Sequence, residues 1–170
     1  LWEDSTVIID RLEHRSPRLQ AASTGLRGVI AHLLDAFACT ALLPMAMHYR
    51  WSYRDQQEQF LLAEFGRAIP AGAVPPAHKA AATARVMDKF AGFLAGLGVT
   101  ADVIPVIEQD YLDLLAALED HFQHEPYVLG RAPSLADFGL MAPLYAHLAR
   151  DPVPGFLMKT KAPAVARWTE

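Results

Sequence analysis

Apolar residues recur at helical spacing along most of this chain. They are clearest between Ile104 and Phe122, where they follow one another at steps of three and four, while acidic and amide side chains fill the other side. One apolar stripe and one polar face indicate an amphipathic helix that buries a single side. The predicted buried stripe comprises Ile104, Ile107, Tyr111, Leu114, Leu115, Leu118 and Phe122. Because strand-like alternation is almost missing elsewhere, the pattern predicts an all-α protein.

A second helix is predicted to begin near Leu26. Its expected inward side chains are Val29, Ile30, Leu33, Phe37 and Leu42. Pro44 should kink or end this helix, because proline lacks the N–H of the helical hydrogen bond and clashes with the preceding turn. A further helix is expected from Ser52 to Arg67, before a loop rich in proline and glycine.

Two more helices are predicted on either side of these. One should cover residues 80–97 and end at Gly98, a residue suited to the left-handed position after a helix. Its expected inward side chains are Val86, Phe90, Phe93, Leu94 and Leu97. The opening segment also has helical spacing and should stop at Ser16 and Pro17. Its apolar stripe is predicted to hold Val7, Ile8 and Leu12, with Ile9 as a further candidate.

A polar box precedes the most apolar helical stretch of the chain. In "SLADFGLMAPLYAHLAR", Ser134 stands at the N-cap and Asp137 three residues later, the spacing of a capping box. The following residues are apolar on most sides, which predicts a central helix that begins inside the core. A buried helix start needs side-chain caps because water cannot reach its free N–H groups. Gly139 should let another helix approach closely, and Pro143 should bend the helix.

Composition narrows the class of protein further. The chain has 170 residues, 52% apolar and 20% charged, which is typical of one folded domain. A net charge of −4 predicts no nucleic-acid partner and no polybasic membrane patch, and no apolar segment is expected to be long enough to span a bilayer. Cys39, the single cysteine, is expected to be a small buried residue. No metal site is expected, and a cytoplasmic location is the default.

Three motifs in order resemble the C-terminal domain of the glutathione S-transferase family. The first is the G-x-x-x-S-x-A-D-x-x-L pattern from Gly130 to Leu140, around the predicted capping box. The second is "LWEDSTVIIDRLE", which is similar to the last helix of the family's thioredoxin-like domain. The third is "APAVARW", ending in Trp168, which is similar to the family's terminal P-x-x-x-x-W helix. The stretches "MHYRW" and "YAHLARDP" resemble a bacterial subgroup of the superfamily.

This resemblance implies a division of the chain and an expected fold. Residues 1–16 would be the last helix of a truncated thioredoxin-like domain, residues 17–25 a linker, and residues 26–170 a glutathione S-transferase C-terminal-like helical bundle. In the family, the hydroxyl or thiol that stabilises the glutathione thiolate lies near the start of the thioredoxin-like domain. The resemblance therefore implies that no catalytic residue lies in this chain and that the chain alone is inactive.

The resemblance also implies where glutathione, the family's co-substrate, would bind. Asp4 and Ser5 match the family's acidic-Ser pair at a helix N-terminus, where free N–H groups suit a carboxylate. Glu3 or Asp4 could pair with the α-ammonium of glutathione. From these residues alone, Asp4 and Ser5 read as a plain helix cap. The family context favours glutathione binding.

A second, apolar substrate binds between the domains in this family. His48, Tyr49 and Trp51 cluster after Pro44 and are the candidates for that pocket, since aromatic rings with a few polar groups suit an apolar ligand. Packing explains Tyr49 and Trp51 equally well, and a hydrogen-bonded structural role is favoured for His48. Arg50 and Arg54 either attract an anionic substrate or face solvent, and solvent is favoured.

Two functions remain open from the sequence, apart from a chance likeness in an unrelated helical bundle. The first is a glutathione transferase-like enzyme that acts on a small apolar electrophile and forms homodimers as the full-length protein. The second is a non-catalytic binding or assembly module with the same fold. An upstream Ser, Tyr or Cys would favour the enzyme, whereas loss of glutathione binding would favour the module.

Overall fold

The computed structural model describes residues 5–16 and 25–170. Within them the chain is helical, and the all-α prediction is confirmed. The α-helices are α1 (Ser5–Arg15), α2 (Leu26–Thr40), α3 (Leu42–Trp51), α4 (Arg54–Ala68), α5 (Lys79–Ala91), α6 (Ile104–Phe122), α7 (Leu135–Pro143), α8 (Pro152–Lys161) and α9 (Pro163–Thr169). Short 3₁₀ turns cover Pro76–His78 and Ala95–Leu97, and a π-helical segment, Leu144–Ala149, continues α7.

The main core lies where α3, α6 and the π-helical segment meet the last two helices. The inner face of α6 presents Ile107, Tyr111 and Leu115, and the outer members of its predicted stripe pack around them. Trp168 of α9 stacks on Phe122 with ring centroids 4.7 Å apart. The predicted α6 and its buried stripe are therefore confirmed.

The prediction for the buried face of α2 is wrong except at its end. Leu42, the first residue of α3, is fully buried, but the other predicted inward side chains are exposed: Val29, Ile30, Leu33 and Phe37. The face that packs inward carries Gly28, Ala31, Asp35 and Ala38. These small residues suit α2 because it packs closely against α7, and large side chains would hold the two helices apart. The prediction followed the spacing of the larger apolar side chains, but in α2 these lie on the opposite, exposed face.

The break predicted at Pro44 is present between α2 and α3. α2 ends at Thr40, four residues before Pro44, because that proline has no N–H to donate to the Thr40 carbonyl. The run Leu26–Trp51 is nevertheless long and apolar enough, by length and composition alone, to cross a membrane. The sequence-based prediction that no such segment exists is therefore wrong. The same properties suit a bundle helix, and Met45 and Tyr49 lie in the core.

Two other helices also differ from the prediction. α5 ends at Ala91 rather than at residue 97, since Gly92 and Gly96 are poor helix formers, although Gly98 does close the following turn with φ 75°. α5 buries Thr83 and Met87, while three predicted inward residues are exposed: Val86, Phe90 and Phe93. In α1, Ile9 packs inward and Glu13 is buried, whereas Val7 and Leu12 are exposed.

The central helix changes form after Pro143, the residue at which a bend was predicted. α7 runs to this residue and continues as the π-helical segment, because the proline removes an α-helical hydrogen bond. Most of its side chains are buried, including Leu135, Leu140 and Leu144. Phe138 and Tyr145 are exposed, which contradicts the expectation of burial on nearly all sides.

Candidate functional site

The predicted glutathione-binding pair lies at the edge of the described chain. Asp4 lies outside the described residues, and Ser5 is the first residue of α1, with its side chain outside the description. Thr6, the second residue of α1, contacts α2: its hydroxyl donates a hydrogen bond to Asp35 Oδ2 at 2.9 Å. The start of α1 is therefore held beside the middle of α2.

The start of α7 is organised by the predicted capping box. Asp137 is buried, and its Oδ2 accepts hydrogen bonds from the Ser134 backbone N–H at 2.8 Å and from the Ser134 hydroxyl at 2.7 Å. Its Oδ1 accepts the Val128 N–H at 2.8 Å. The box therefore also fixes the preceding loop, which the sequence did not predict.

An apolar groove begins next to these helix starts. Asp35 of α2 lies against Gly139 of α7, and Gly139 lines a cavity of about 350 Å³ that follows the two helices. Its lining includes Cys39, Leu43, Ala46, Gly139, Ala142, Ala146 and His147. Cys39 is exposed, so its predicted burial is wrong, because the inward face of α2 passes through Ala38 instead.

The groove continues under α4 and α5. An adjoining cavity of about 370 Å³ shares Leu43, Ala46 and His147 with the first and adds Met47, Arg50, Trp51, Phe65 and Phe90. We call the two cavities together the Trp51 groove. Trp51 is 6% exposed, and its indole N–H is buried without a hydrogen-bond partner among the described residues. Burial and the nearby Arg50 charge lower the pKa of His147, which favours a neutral imidazole.

Arg50 is held in place by α8. Its guanidinium donates two hydrogen bonds to the buried Asp151 carboxylate, at 2.7 and 2.6 Å. Such a bidentate pair fixes both position and orientation. Arg54 pairs with Asp88 in α5 at 2.6 Å. Solvent was the favoured surrounding for both arginines; Arg50 instead pairs with a buried aspartate, whereas the pair that Arg54 forms is at the surface.

His48 and Tyr49 belong to a second cluster, on the side of α3 that faces α6. His48 is 1% exposed, with Nδ1 2.9 Å from the Ser52 hydroxyl and Nε2 3.0 Å from Glu108 Oε1. A neutral ring satisfies both contacts when Nε2–H donates to Glu108 and Nδ1 accepts from Ser52. The Tyr53 hydroxyl also donates to Glu108 Oε1, at 2.6 Å.

Aromatic rings surround this carboxylate. Tyr49 and Tyr53 stack with centroids 5.7 Å apart and planes 12° apart, and Tyr111 lies 5.0 Å from Tyr49. The hydrogen bond from Tyr53 is the main cause that lowers the pKa of Glu108, and His48 lowers it further, so this side chain is a carboxylate at neutral pH. Desolvation raises the pKa of Tyr49, which stays protonated.

A separate cavity opens beside this cluster. It has a volume of about 510 Å³ and is lined by Tyr49, Tyr53, Gln56, Glu108, Leu112, Pro152, Val153, Phe156 and Leu157, which we call the Tyr49 cavity. Trp51 and Tyr49 therefore line different cavities, and His48 lies behind the Tyr49 cavity. The structure does not bring the three predicted pocket residues into one site.

Sequence reasoning missed the partners that define both sites. Glu108 was assigned only to the polar face of α6, and nothing local indicated that it contacts Tyr53, which is 55 residues away. Phe65 and Phe90 of the Trp51 groove come from helices α4 and α5, whose packing partners the sequence does not reveal. The one local indication of a site in the sequence was the high density of aromatic residues between positions 48 and 53.

The C-terminal part of the chain matches a known protein family. Residues 108–170, from Glu108 in α6 to the end of α9, match the family described as glutathione S-transferase, C-terminal domain. This match argues against an unrelated helical bundle. No curated protein and no solved structure gave a match to the chain. The matched region contains two of the three motifs that carry the resemblance, the capping box and the terminal helix, whereas the motif in residues 1–13 lies outside it. The comparison therefore supports, for residues 108–170, the resemblance to the glutathione S-transferase C-terminal domain.

Proposed function

We propose that the full-length protein is a cytoplasmic glutathione transferase-like enzyme that adds the glutathione thiol to a small apolar electrophile. In this proposal the present chain supplies the helical domain, part of the glutathione site through Asp4 and Ser5, and the pocket for the electrophile. The activating hydroxyl or thiol comes from a thioredoxin-like domain outside this chain. A thiolate is the reactive form, so the chain's own task is to bind and orient.

The observation that supports this function best is the position of the Trp51 groove. Thr6, next to the proposed glutathione residue Ser5, is bonded to Asp35, and Asp35 lies against Gly139, which lines the groove. An electrophile in the groove would thus lie near the start of α1. The lining is mostly apolar, and the Trp51 N–H, which has no partner among the described residues, offers one donor to an electrophile that carries an acceptor.

Calorimetric titration of glutathione into the full-length protein tests this proposal. We expect saturable binding that Ser5→Ala weakens by about tenfold, as for loss of a hydrogen bond to a charged group. Ser16→Ala, at the other end of α1, is the matched control and should bind as the unchanged protein does. Absence of binding by a folded protein would reject the enzyme and favour the non-catalytic binding or assembly module.

We also propose that the full-length protein is a homodimer. An exposed apolar stripe on α2, defined by Leu26, Val29, Ile30, Leu33 and Phe37, supports this proposal. Contiguous exposed apolar surface of this kind is typical of an interaction face. A second copy is the proposed occupant because members of the family that residues 108–170 match are usually dimeric.

A further inference from the structure

The Tyr49 cavity combines one negative charge with an apolar and aromatic lining. Its residues include no lysine, arginine or histidine in the part of the chain that the structure describes. Arg50 and Arg54 are bonded to Asp151 and Asp88 instead, and His48, which lies behind the cavity, contacts only Oε1 of Glu108 among its two carboxylate oxygens. The Glu108 charge is therefore not balanced by any basic side chain of the lining.

The hydrogen bonds on Glu108 leave part of the carboxylate available. Both of its described hydrogen bonds, from His48 and Tyr53, fall on Oε1. Oε2 accepts none from the described residues, and the Glu108 side chain is 34% exposed, so this oxygen can meet a ligand at the cavity wall. His48 and Tyr53 at the same time hold the carboxylate in one orientation, which reduces the entropy lost on binding.

The residues around Glu108 indicate which class of ligand the cavity would bind. The partly exposed Tyr53 ring lies beside the carboxylate and stacks on the buried Tyr49 ring, and an aromatic ring of this kind attracts a cation to its face. Across the cavity, Phe156 of α8 is 68% exposed and offers apolar surface. An anion would be repelled by Glu108, whereas an ammonium group can pair with Oε2, which accepts no hydrogen bond from the described residues. A metal ion is disfavoured because the described residues contain no group of three or more His, Cys, Asp or Glu side chains that could hold one.

We propose that the Tyr49 cavity binds a small organic ammonium compound with an apolar or aromatic body. The ammonium group lies against Glu108 Oε2 and the Tyr53 ring, and the body contacts Val153 and Phe156. This site is distinct from the Trp51 groove. It does not depend on the proposed glutathione chemistry, so either proposal can fail without the other.

Titration of the full-length protein with matched probes tests this site. The probes are benzylammonium, benzyltrimethylammonium and the neutral benzyl alcohol, which share one aromatic body. We expect both cations to bind at least about tenfold more tightly than the alcohol, because a charge-assisted contact is stronger than a neutral one. Preference for the primary ammonium would indicate a hydrogen bond to Glu108, whereas equal binding of the two cations would indicate ring contact; either result supports the site.

Variants locate the binding within the cavity. Glu108→Gln should reduce the affinity for both cations to that of the alcohol, while Asp110→Asn, an exposed carboxylate on the same helix, should change nothing. Phe156→Ala truncates an exposed side chain and should weaken all three probes alike. Thermal unfolding verifies that each variant is folded. Equal affinity of the unchanged protein for alcohol and cations, or no saturable binding of any probe, would overturn the proposal independently of the variants.

Discussion

At the scale of single residues, Asp137 should contribute more to stability than any surface carboxylate. Its buried carboxylate accepts from two N–H groups and one hydroxyl. Asp137→Ala leaves these donors without a partner where water cannot replace it, so we expect a loss of roughly 3 kcal/mol or more in the free energy of unfolding. Urea denaturation of the full-length protein measures this loss.

A matched control is Asp120→Ala, which removes an exposed carboxylate from α6. Its effect should stay within about 0.5 kcal/mol. If Asp137→Ala were equally mild, the capping box would be a surface feature and not the support of a buried helix start.

Residue contacts were predictable from sequence only where they are local. Ser134 and Asp137 are three residues apart, and because this spacing brings them together at a helix start, their contact could be predicted from the sequence. Glu108 and His48 are 60 residues apart, and only the packing of α3 on α6 brings them together. The structural role favoured for His48 agrees with its two hydrogen bonds, but the partner was not foreseeable.

At the scale of helices, the contact between α2 and α7 depends on Gly139. A Cβ added there would lie 2.6 Å from Asp35 Oδ1 and 2.8 Å from Asp35 Cα. The second atom is backbone, so Gly139→Ala must move one helix away from the other. We expect a loss of about 1–3 kcal/mol, as is usual for overpacking, measured by urea denaturation.

Gly96→Ala is the control for this substitution, because its added Cβ meets no atom within 4 Å. That variant should be neutral or slightly stabilising. A neutral Gly139→Ala would show that α2 and α7 can shift without cost and that their close approach is not required.

The predicted buried face of a helix was correct where the large apolar residues of that helix face the core. For α6 they face the core, so the periodicity gave the correct buried face. For α2 they face outward, and the buried face uses glycine, alanine and an aspartate bonded to Thr6. Hydrophobicity alone cannot distinguish a face that packs within the chain from one that is available to a partner.

At the scale of the whole molecule, the order of the motifs predicted the fold, but the cavities required the structure. The family match covers residues 108–170, whereas Phe65 and Phe90, which cover one end of the Trp51 groove, lie outside it. Two cavities of different character flank α3: one mostly apolar and one with a single carboxylate. A single pocket predicted around residues 48–51 could not separate them, because successive helical residues point to different sides.

The exposed α2 stripe gives a prediction about assembly. Leu33 is at its centre and is 63% exposed, so Leu33→Glu should leave the folded subunit intact while placing a charge in the proposed dimer interface. Burying an unpaired carboxylate is costly, and we expect the dimer dissociation constant of the full-length protein to rise at least about tenfold. Val106→Glu, on an exposed position of α6, is the matched control and should leave the dimer unchanged. Sedimentation velocity over a concentration series measures both variants. A Leu33→Glu protein that remains as dimeric as the control would place the interface elsewhere, and the stripe would then need a different partner.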